Sequence, residues 1–311
     1  MMGTLSRPVS PDLARSAARR VRKVLKRIRA YAGLLNLRCR NLLVREKVTG
    51  TADVVVCMTT HGDRLRTVDV ALESIARGTV KPRRLILWLD DPAAFGRQTP
   101  ALLRLQRRGL ETRLSRNFGP HTKYFPYVAS PTLVDCPLAT ADDDIIYPRR
   151  WLQTLVEANQ KHPDMVHGHW VRVISANGGS LTRYDSWARR RDTLPGFNNF
   201  ALGVSGVIYP PGMLRELRIR GDEFMDVCPG ADDVWLHWTA LKAGYPTRQV
   251  GAVARHFPMI PGSQASALSD LNVGLNRNDQ WIRALYSTSD VMTLMTSGPA
   301  VTLKDGEGDA S

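Results

Sequence analysis

A chain of 311 residues is long enough for one large α/β domain or two smaller ones, and its 43% apolar and 23% charged content is ordinary for a globular protein. No run reaches the roughly 18 apolar residues of a membrane span, the N-terminus lacks a signal-peptide apolar region, and four scattered cysteines (Cys39, Cys57, Cys136, Cys228) lack the spacing of a zinc site or disulfide framework. These features suit a soluble body in a reducing compartment, and the formal charge of +14 is concentrated at one end: residues 1–50 hold 13 Lys/Arg against two acids, the remainder 30 against 27.

Residues 13–37 read as a basic amphipathic helix. Val21, Val24, Leu25, Ile28, Tyr31 and Leu35 fall at three-and-four spacing, and Arg19, Arg22, Lys23, Lys26, Arg27 and Arg29 cover the rest of the surface. Such a helix fits an anionic membrane surface. A helix packed on the body or a partner is the plain alternative. No nucleic acid is expected, because charge comes without interleaved aromatics or a recognised binding motif.

After Gly50 the period changes. Val54 to Thr59 is a β-branched run suited to a buried parallel strand, followed by the polar turn Thr59–Arg64 and a helix from Leu65 to Ala76. Leu85 to Leu89 is a second strand ending in Asp90-Asp91-Pro92, and a helix over Pro100–Arg108 follows. Thr112–Leu114 is a third strand, Tyr124–Ala129 a short helix, and Pro137–Ala141 a strand that runs into Asp142-Asp143-Asp144 and then a helix from Trp151 to Asn159. This alternation indicates an α/β fold with an open, mostly parallel sheet, whose ligands bind outside the carboxyl ends of the strands. Thr59–Arg64, Asp90-Asp91 and the triple Asp all lie at such ends.

In the second half, Met165–Ile174 and Gly203–Tyr209 read as strands and Met213–Leu217 as a helix. Asp232-Asp233 opens a helix ending at Gly244, and Gln249–Ala254 is a further strand. One acid suffices to complement that helix's dipole, a contribution of about 0.3–1 kcal/mol, which leaves the second unexplained. Three adjacent carboxylates repel one another unless solvent or a cation separates them, and hard oxygens suit Mg²⁺ or Mn²⁺. Neither GxGxxG nor GxxxxGK[ST] is present, so a bound diphosphate would need a metal as counter-charge.

In their order, the Val54–Met58 strand and its turn, Lys123-Tyr124-Phe125-Pro126, Asp142–Asp144 with Ile-Ile-Tyr-Pro, the Gly203–Pro211 strand and the Asp232-Asp233 helix start resemble GT-A glycosyltransferases. More narrowly they resemble bacterial family-two-type enzymes of envelope or capsular polysaccharide synthesis. The resemblance covers about residues 51–285 and implies a Rossmann-like GT-A domain over residues 49–290. Residues 1–48 precede it as the basic segment and 291–311 follow as a tail. It implies a nucleotide-sugar donor, a Mn²⁺ or Mg²⁺ cofactor, and a glycan or lipid-linked acceptor at the cytoplasmic face of the cell membrane.

Residue by residue, Asp144 matches the metal ligand and Asp142 the contact to ribose or metal, with Asp143 between them in the donor site. Asp90 or Asp91 resembles the nucleobase-reading acid, and Asp233 the catalytic base of inverting members. Asp232 stands where many members have Glu, so either acid of that pair is a candidate base. Thr59 and Arg64 in the first turn and Lys123 are donor-side candidates, with a solvated surface cation as the alternative for Arg64 and Lys123. His256 is a candidate further metal ligand, and His169 and Trp170 are candidates for the acceptor side. Without Gln-x-x-Arg-Trp, single addition is expected rather than processive synthesis. The competing readings are a sugar nucleotidyltransferase and a non-catalytic membrane- or nucleic-acid-binding adaptor.

Overall fold

The computed structural model describes residues 21, 28, 30–131, 135–263 and 277–296. A helix over residues 30–43 (α1) leads into β1 (Ala52–Thr60), α2 (Val68–Ala76), β2 (Pro82–Leu89), α3 (Pro92–Gly96), α4 (Pro100–Arg107) and β3 (Leu110–Leu114). Then come α5 (Phe125–Val128), β4 (Leu138–Ala141), α6 (Trp151–Lys161), β5 (Val166–Gly168) and β6 (Val171–Val173). Five short strands follow: β7 (Ala176–Asn177) pairs with β8 (Ser180–Leu181), β9 (Ala188–Arg189) and β10 (Asn199–Ala201) each pair with β6, and β11 (Val207–Tyr209) pairs with β5. The chain continues through α7 (Pro211–Arg220), α8 (Phe224–Val227), α9 (Asp232–Lys242) and β12 (Thr247–Gln249) to two helices, Arg277–Leu285 and Thr288–Thr296.

The central sheet has seven strands in the order β3-β2-β1-β4-β11-β5-β12, with β11 antiparallel to both neighbours and the other pairings parallel. This is the expected α/β architecture of an open, mostly parallel sheet flanked by helices. Period-two alternation explains why both faces are covered. On β1, Val54, Val56 and Met58 join a core cluster with α1, α2, α4 and α6. Val55 and Cys57 join the opposite cluster with α5, α7, α8 and α9. Strand order reverses between β1 and β4, and a crevice opens where their carboxyl ends diverge.

Several elements differ from the sequence expectation, each for a local reason. The Met165–Ile174 strand is broken at Gly168-His169-Trp170, so β5 joins the central sheet and β6 a three-stranded sheet with β9 and β10. A Cβ on Gly168 would come within 3.0 Å of Ala201, so the break is packed tightly. Gly203–Ser205 is a 3₁₀ turn rather than strand, and the strand starts after Gly206 (φ +90°), where a side chain would overlap the Trp151 indole. The last expected strand is β12, ending at Gln249, so His256 does not directly follow a strand.

The boundary expected at residue 48 falls within packed structure. On α1, Leu34 and Leu37 are buried, and Asn41 Nδ2 donates to the Ala101 carbonyl at 3.3 Å. Arg40 and Arg108 both pair with the fully buried Glu73, at 3.1 and 2.7 Å. A separate face of α1 points outward, with Tyr31 and Leu35 more than half exposed, as are Val21 and Ile28 ahead of it. Val24, Leu25 and most of the expected helix over residues 13–37 lie outside the described residues. The expected tail at 291 is likewise helical to Thr296, with Leu294 fully buried, and residues 297–311 lie outside the described residues. Among the described residues no helix is long and apolar enough to cross a membrane.

Candidate active site

A cavity of about 630 Å³ occupies the crevice at the carboxyl ends of β1, β2 and β4. Thr59 and Arg64 reach it from the first turn, Asp90 from the end of β2, and Asp142–Asp144 from the end of β4. Lys123 comes from the turn before α5, and Asp232 and Asp233 from the start of α9. Residues separated by up to 174 positions in sequence therefore share one wall, because three strand ends, the turn before α5 and one helix start converge there.

The three consecutive aspartates have three different environments. Asp143 is held by the Thr60 hydroxyl at 2.6 Å and Arg64 Nη1 at 2.9 Å, so it fixes the first turn against the end of β4. Asp142 Oδ1 accepts from Lys123 Nζ at 2.7 Å, and its backbone N–H donates to the Tyr147 hydroxyl at 2.7 Å. Asp144 faces Arg64 Nη2 at 3.4 Å. Burial first, and the Asp142 charge second, push the Asp144 carboxyl up to about 6 despite that arginine.

The second acid pair mirrors the first. Lys123 Nζ forms an ion pair with Asp232 Oδ2 at 2.9 Å, in an orientation that is not that of a hydrogen bond. Asp233 receives the Gly203 backbone N–H on both oxygens, at 3.0 and 3.1 Å. Its carboxyl is raised well above the ordinary carboxylate range, by burial and then by the Asp232 charge, although it keeps partial access to the cavity. Burial alone would lower the Lys123 ammonium; the Asp142, Asp232 and Asp233 carboxylates outweigh it and hold it charged. Lys123 thus ties the two acid clusters together.

Six carboxyl groups (Asp90, Asp142, Asp143, Asp144, Asp232, Asp233) line the cavity against two cations, Arg64 and Lys123. An anionic ligand such as a nucleoside diphosphate would be repelled from this wall unless a cation entered with it. Among the described residues no group of three or more His, Cys, Asp or Glu side chains is placed to hold a metal by itself. Asp142 and Asp144 instead fit a shared site, since Mg²⁺ commonly takes one or two carboxylates and completes its shell with waters and substrate phosphates. The raised Asp144 carboxyl, with more negative charge around it than Arg64 neutralises, fits such a dication.

Two residues expected at the site are elsewhere. Asp91 is the N-cap of α3, accepting the Ala93 N–H at 2.8 Å, which leaves Asp90 as the acid of that pair on the cavity wall. His256 is not among the cavity-lining residues; its ring packs edge-on to Trp170 at 5.1 Å. Trp235 is core, and His169 is buried with Nε2 3.2 Å from the Trp151 carbonyl oxygen. Sequence reading missed Tyr147 and Gly203, which shape the site without reacting. A Cβ on Gly203 would lie 2.7 Å from Asp233 Oδ1 and 3.2 Å from Lys123 Nζ. The Ile-Ile-Tyr-Pro run and the paired glycines at 203 and 206 were the available signals.

No family model matches the chain, and neither does any curated protein sequence. Solved structures with a similar chain path include GalNAc-T7 with UDP, GalNAc and Mn²⁺, at 14% identity and a TM-score of 0.45 over 64% of this chain and 42% of that one. This chain therefore spans less than half the length of that protein. S. aureus TarS residues 1–349 matches at 15% identity and a TM-score of 0.44, covering 81% of this chain and 75% of that one. A CMP:2-keto-3-deoxy-manno-octonic acid synthetase complexed with CTP matches at 14% identity and a TM-score of 0.40, over 73% and 99%. At this level of likeness, what the chain does must be read from the cavity itself.

Proposed function

We propose that this chain is a metal-dependent, inverting glycosyltransferase that moves a sugar from a nucleotide-sugar donor to an acceptor hydroxyl. The observation that carries the reading is the cavity wall: two acid clusters, distant in sequence, flank one lysine, with six carboxyl groups facing two cations. Asp142 and Asp144 would hold Mn²⁺ or Mg²⁺ against the donor diphosphate, where the ion supplies Lewis-acid stabilisation of the leaving group. Asp90, on the cavity wall at the end of β2, would meet the nucleobase. Lys123 and Arg64 supply fixed positive charge near the diphosphate.

Asp233 is the base of this scheme. Its two oxygens are oriented by the Gly203 N–H, and among the described residues no side-chain hydrogen bond holds it, whereas Asp232 is tied to Lys123. A raised carboxyl is also the better proton acceptor once ionised. In an inverting transfer, the acceptor oxygen bonds to the sugar's anomeric carbon as the bond to the diphosphate breaks. The hydroxyl proton passes to Asp233, and the electron pair leaves with the diphosphate.

Titration calorimetry with UDP-, GDP-, CMP- and dTDP-sugars, with Mn²⁺ and then with EDTA, tests the reading. Binding of one donor that needs the metal and is lost in Asp144→Ala is expected. No binding of any donor overturns it, and transfer of a nucleotidyl group from a nucleoside triphosphate would move the chain to the nucleotidyltransferases.

The outward α1 stripe supports an acceptor presented at the inner face of a cell membrane, with the chain bound peripherally. Val21, Ile28, Tyr31 and Leu35 offer an apolar face, within a segment carrying 13 Lys/Arg against two acids. Because Leu34 and Leu37 are buried, the clean test is Tyr31→Glu/Leu35→Glu rather than deletion. Loss of co-sedimentation with phosphatidylglycerol vesicles is expected; unchanged sedimentation would sink the membrane role.

A further inference from the structure

Behind the cavity wall formed by Tyr184 and Leu202 lies a surface of a different sign. The Leu202 N–H donates to the Trp170 carbonyl at 2.9 Å, so Trp170 sits one residue back from the cavity. The exposed Arg189 guanidinium lies over the Trp170 ring, 5.5 Å from its centroid, and the Arg255 N–H donates to the His169 carbonyl at 2.9 Å. Arg172 faces Arg189 directly across the β6–β9 ladder, lies over the Tyr184 ring at 5.4 Å and donates Nη1 to the Tyr184 carbonyl at 3.1 Å.

Like charges directly opposed on neighbouring strands repel, and a fold gains nothing from the arrangement by itself. Two other arginines of this stretch are neutralised locally, Arg183 by Asp185 and Arg190 by Asp192. Arg172, Arg189 and Arg255 form no ion pair among the described residues. The Arg172 and Arg189 guanidinium groups, lying over Tyr184 and Trp170, with the exposed Arg255 tied through its backbone to His169, make a surface complementary to an anion with several oxygens in fork geometry. Its position relative to the base gives it a direction. Tyr184, which lies under Arg172, lines the same cavity as Asp233.

We propose that the Arg172–Arg189 pair, with Arg255 beside it, forms an acceptor-side subsite for a phosphate group, which holds a phosphorylated acceptor with its hydroxyl directed at Asp233. This rests on the transferase reading for its role and on the patch alone for its chemistry. A negative cavity beside a positive rim would orient such an acceptor, its phosphate outward and its neutral hydroxyl inward.

The test uses the full chain in EDTA, where the carboxylate-lined cavity repels phosphate, and the patch variants separate binding at the patch from binding at the basic N-terminal segment, which every variant keeps. Glycerol 3-phosphate and dihexanoyl phosphatidic acid are titrated separately, and tighter binding of the second assigns the phosphate to a lipid-linked acceptor. Arg189→Ala/Arg255→Ala is expected to weaken both by about tenfold or more, as loss of charge-assisted hydrogen bonds does. Arg215→Ala, which removes an exposed arginine paired with Asp135, is expected to change neither. Donor binding with Mn²⁺ should be equal in all three proteins. Absent phosphate binding, or equal binding by the double variant, overturns the subsite. Phosphate bound at the patch with no donor bound under any condition would leave an anion site and remove its acceptor role.

Discussion

The two acid clusters of the cavity are built on the same plan with opposite backbones. Asp142–Asp144 follows the end of a parallel strand, whereas Asp232-Asp233 opens a helix, so their carboxyl groups approach Lys123 from different elements. In each cluster some acids are held by cations: Asp143 by Arg64, Asp142 and Asp232 by Lys123. Burial and a neighbouring acid raise Asp143 and Asp144 in the first, Asp144 to about 6, and Asp233 in the second. The difference lies in what holds the raised group. Asp144 faces a guanidinium in a ring of acids, a setting for a cation, while Asp233 is held by a backbone N–H that tolerates either protonation state. The pairing teaches that residue type alone does not assign a role; the partner does.

The sharpest way to break this comparison is to remove one ionisable oxygen from each acid of the second pair. Asp233→Asn should keep metal-dependent donor binding and lower kcat about a thousandfold, within the usual size of a general-base contribution. Asp232→Asn, which loosens Lys123 without removing the base, should cost about tenfold. Steady-state kinetics with the donor identified by calorimetry checks both, and the reverse order of effects would make Asp232 the base.

A smaller effect is expected where the backbone positions that base. Gly203→Ala places a methyl 2.7 Å from Asp233 Oδ1 and 3.2 Å from Lys123 Nζ, so both must give way. Overpacking of this kind costs about 1–3 kcal/mol. The variant should melt lower than the native chain and lose about tenfold in kcat, while Val204→Ala should retain kcat. A native-like kcat in Gly203→Ala would show that the Gly203 N–H does not hold Asp233 in its working position.

Much of this site was legible because its parts are local. The β-branched run at Val54–Val56, the Asp-Pro after β2 and the triple Asp after Ala141 each signal their element within a few residues. Three parallel strand ends must then face one crevice. The carboxylates within it were therefore readable as a set. What was not legible was the partnering. Asp91 differs from Asp90 only in that the following Pro92 starts α3 and makes Asp91 its cap. Lys123 reads as a surface cation until α5 is folded against the sheet. Gly203 reads as strand because its contacts to Asp233 and Lys123 span 30 and 80 residues of sequence. The inner face of α1 was illegible for a related reason. One stripe of α1 was visible as amphipathic, but a second face carrying Leu34, Leu37 and Asn41 is recognisable only against the buried Glu73 that it covers.

The raised Asp144 carboxyl gives the comparison its thermodynamic consequence. Its value of about 6 in the folded chain exceeds the ordinary carboxylate value of 3.8, so the native state holds this proton more tightly than the unfolded one. The stability this confers is complete below the ordinary value, is drawn down as pH rises, and is gone once pH passes about 6. Above that pH, metal-free native protein carries an ionised Asp144 whose burial and Asp142 repulsion outweigh its Arg64 contact. Asp144→Asn removes that charge and keeps the shape. At pH 7.5 in EDTA it should raise stability by about 1–3 kcal/mol, the scale set by a shift of roughly two pKa units. The gain should shrink as the pH is lowered through 6 toward 4. Saturating Mn²⁺ and donor should reverse the order, because the native chain alone would gain from binding the ion. Thermal melts of both proteins across this pH range, with and without metal and donor, measure each limb. A variant less stable than the native chain in EDTA at pH 7.5 would mean that Arg64 pairing dominates and that Asp144 is a structural anchor like Asp143.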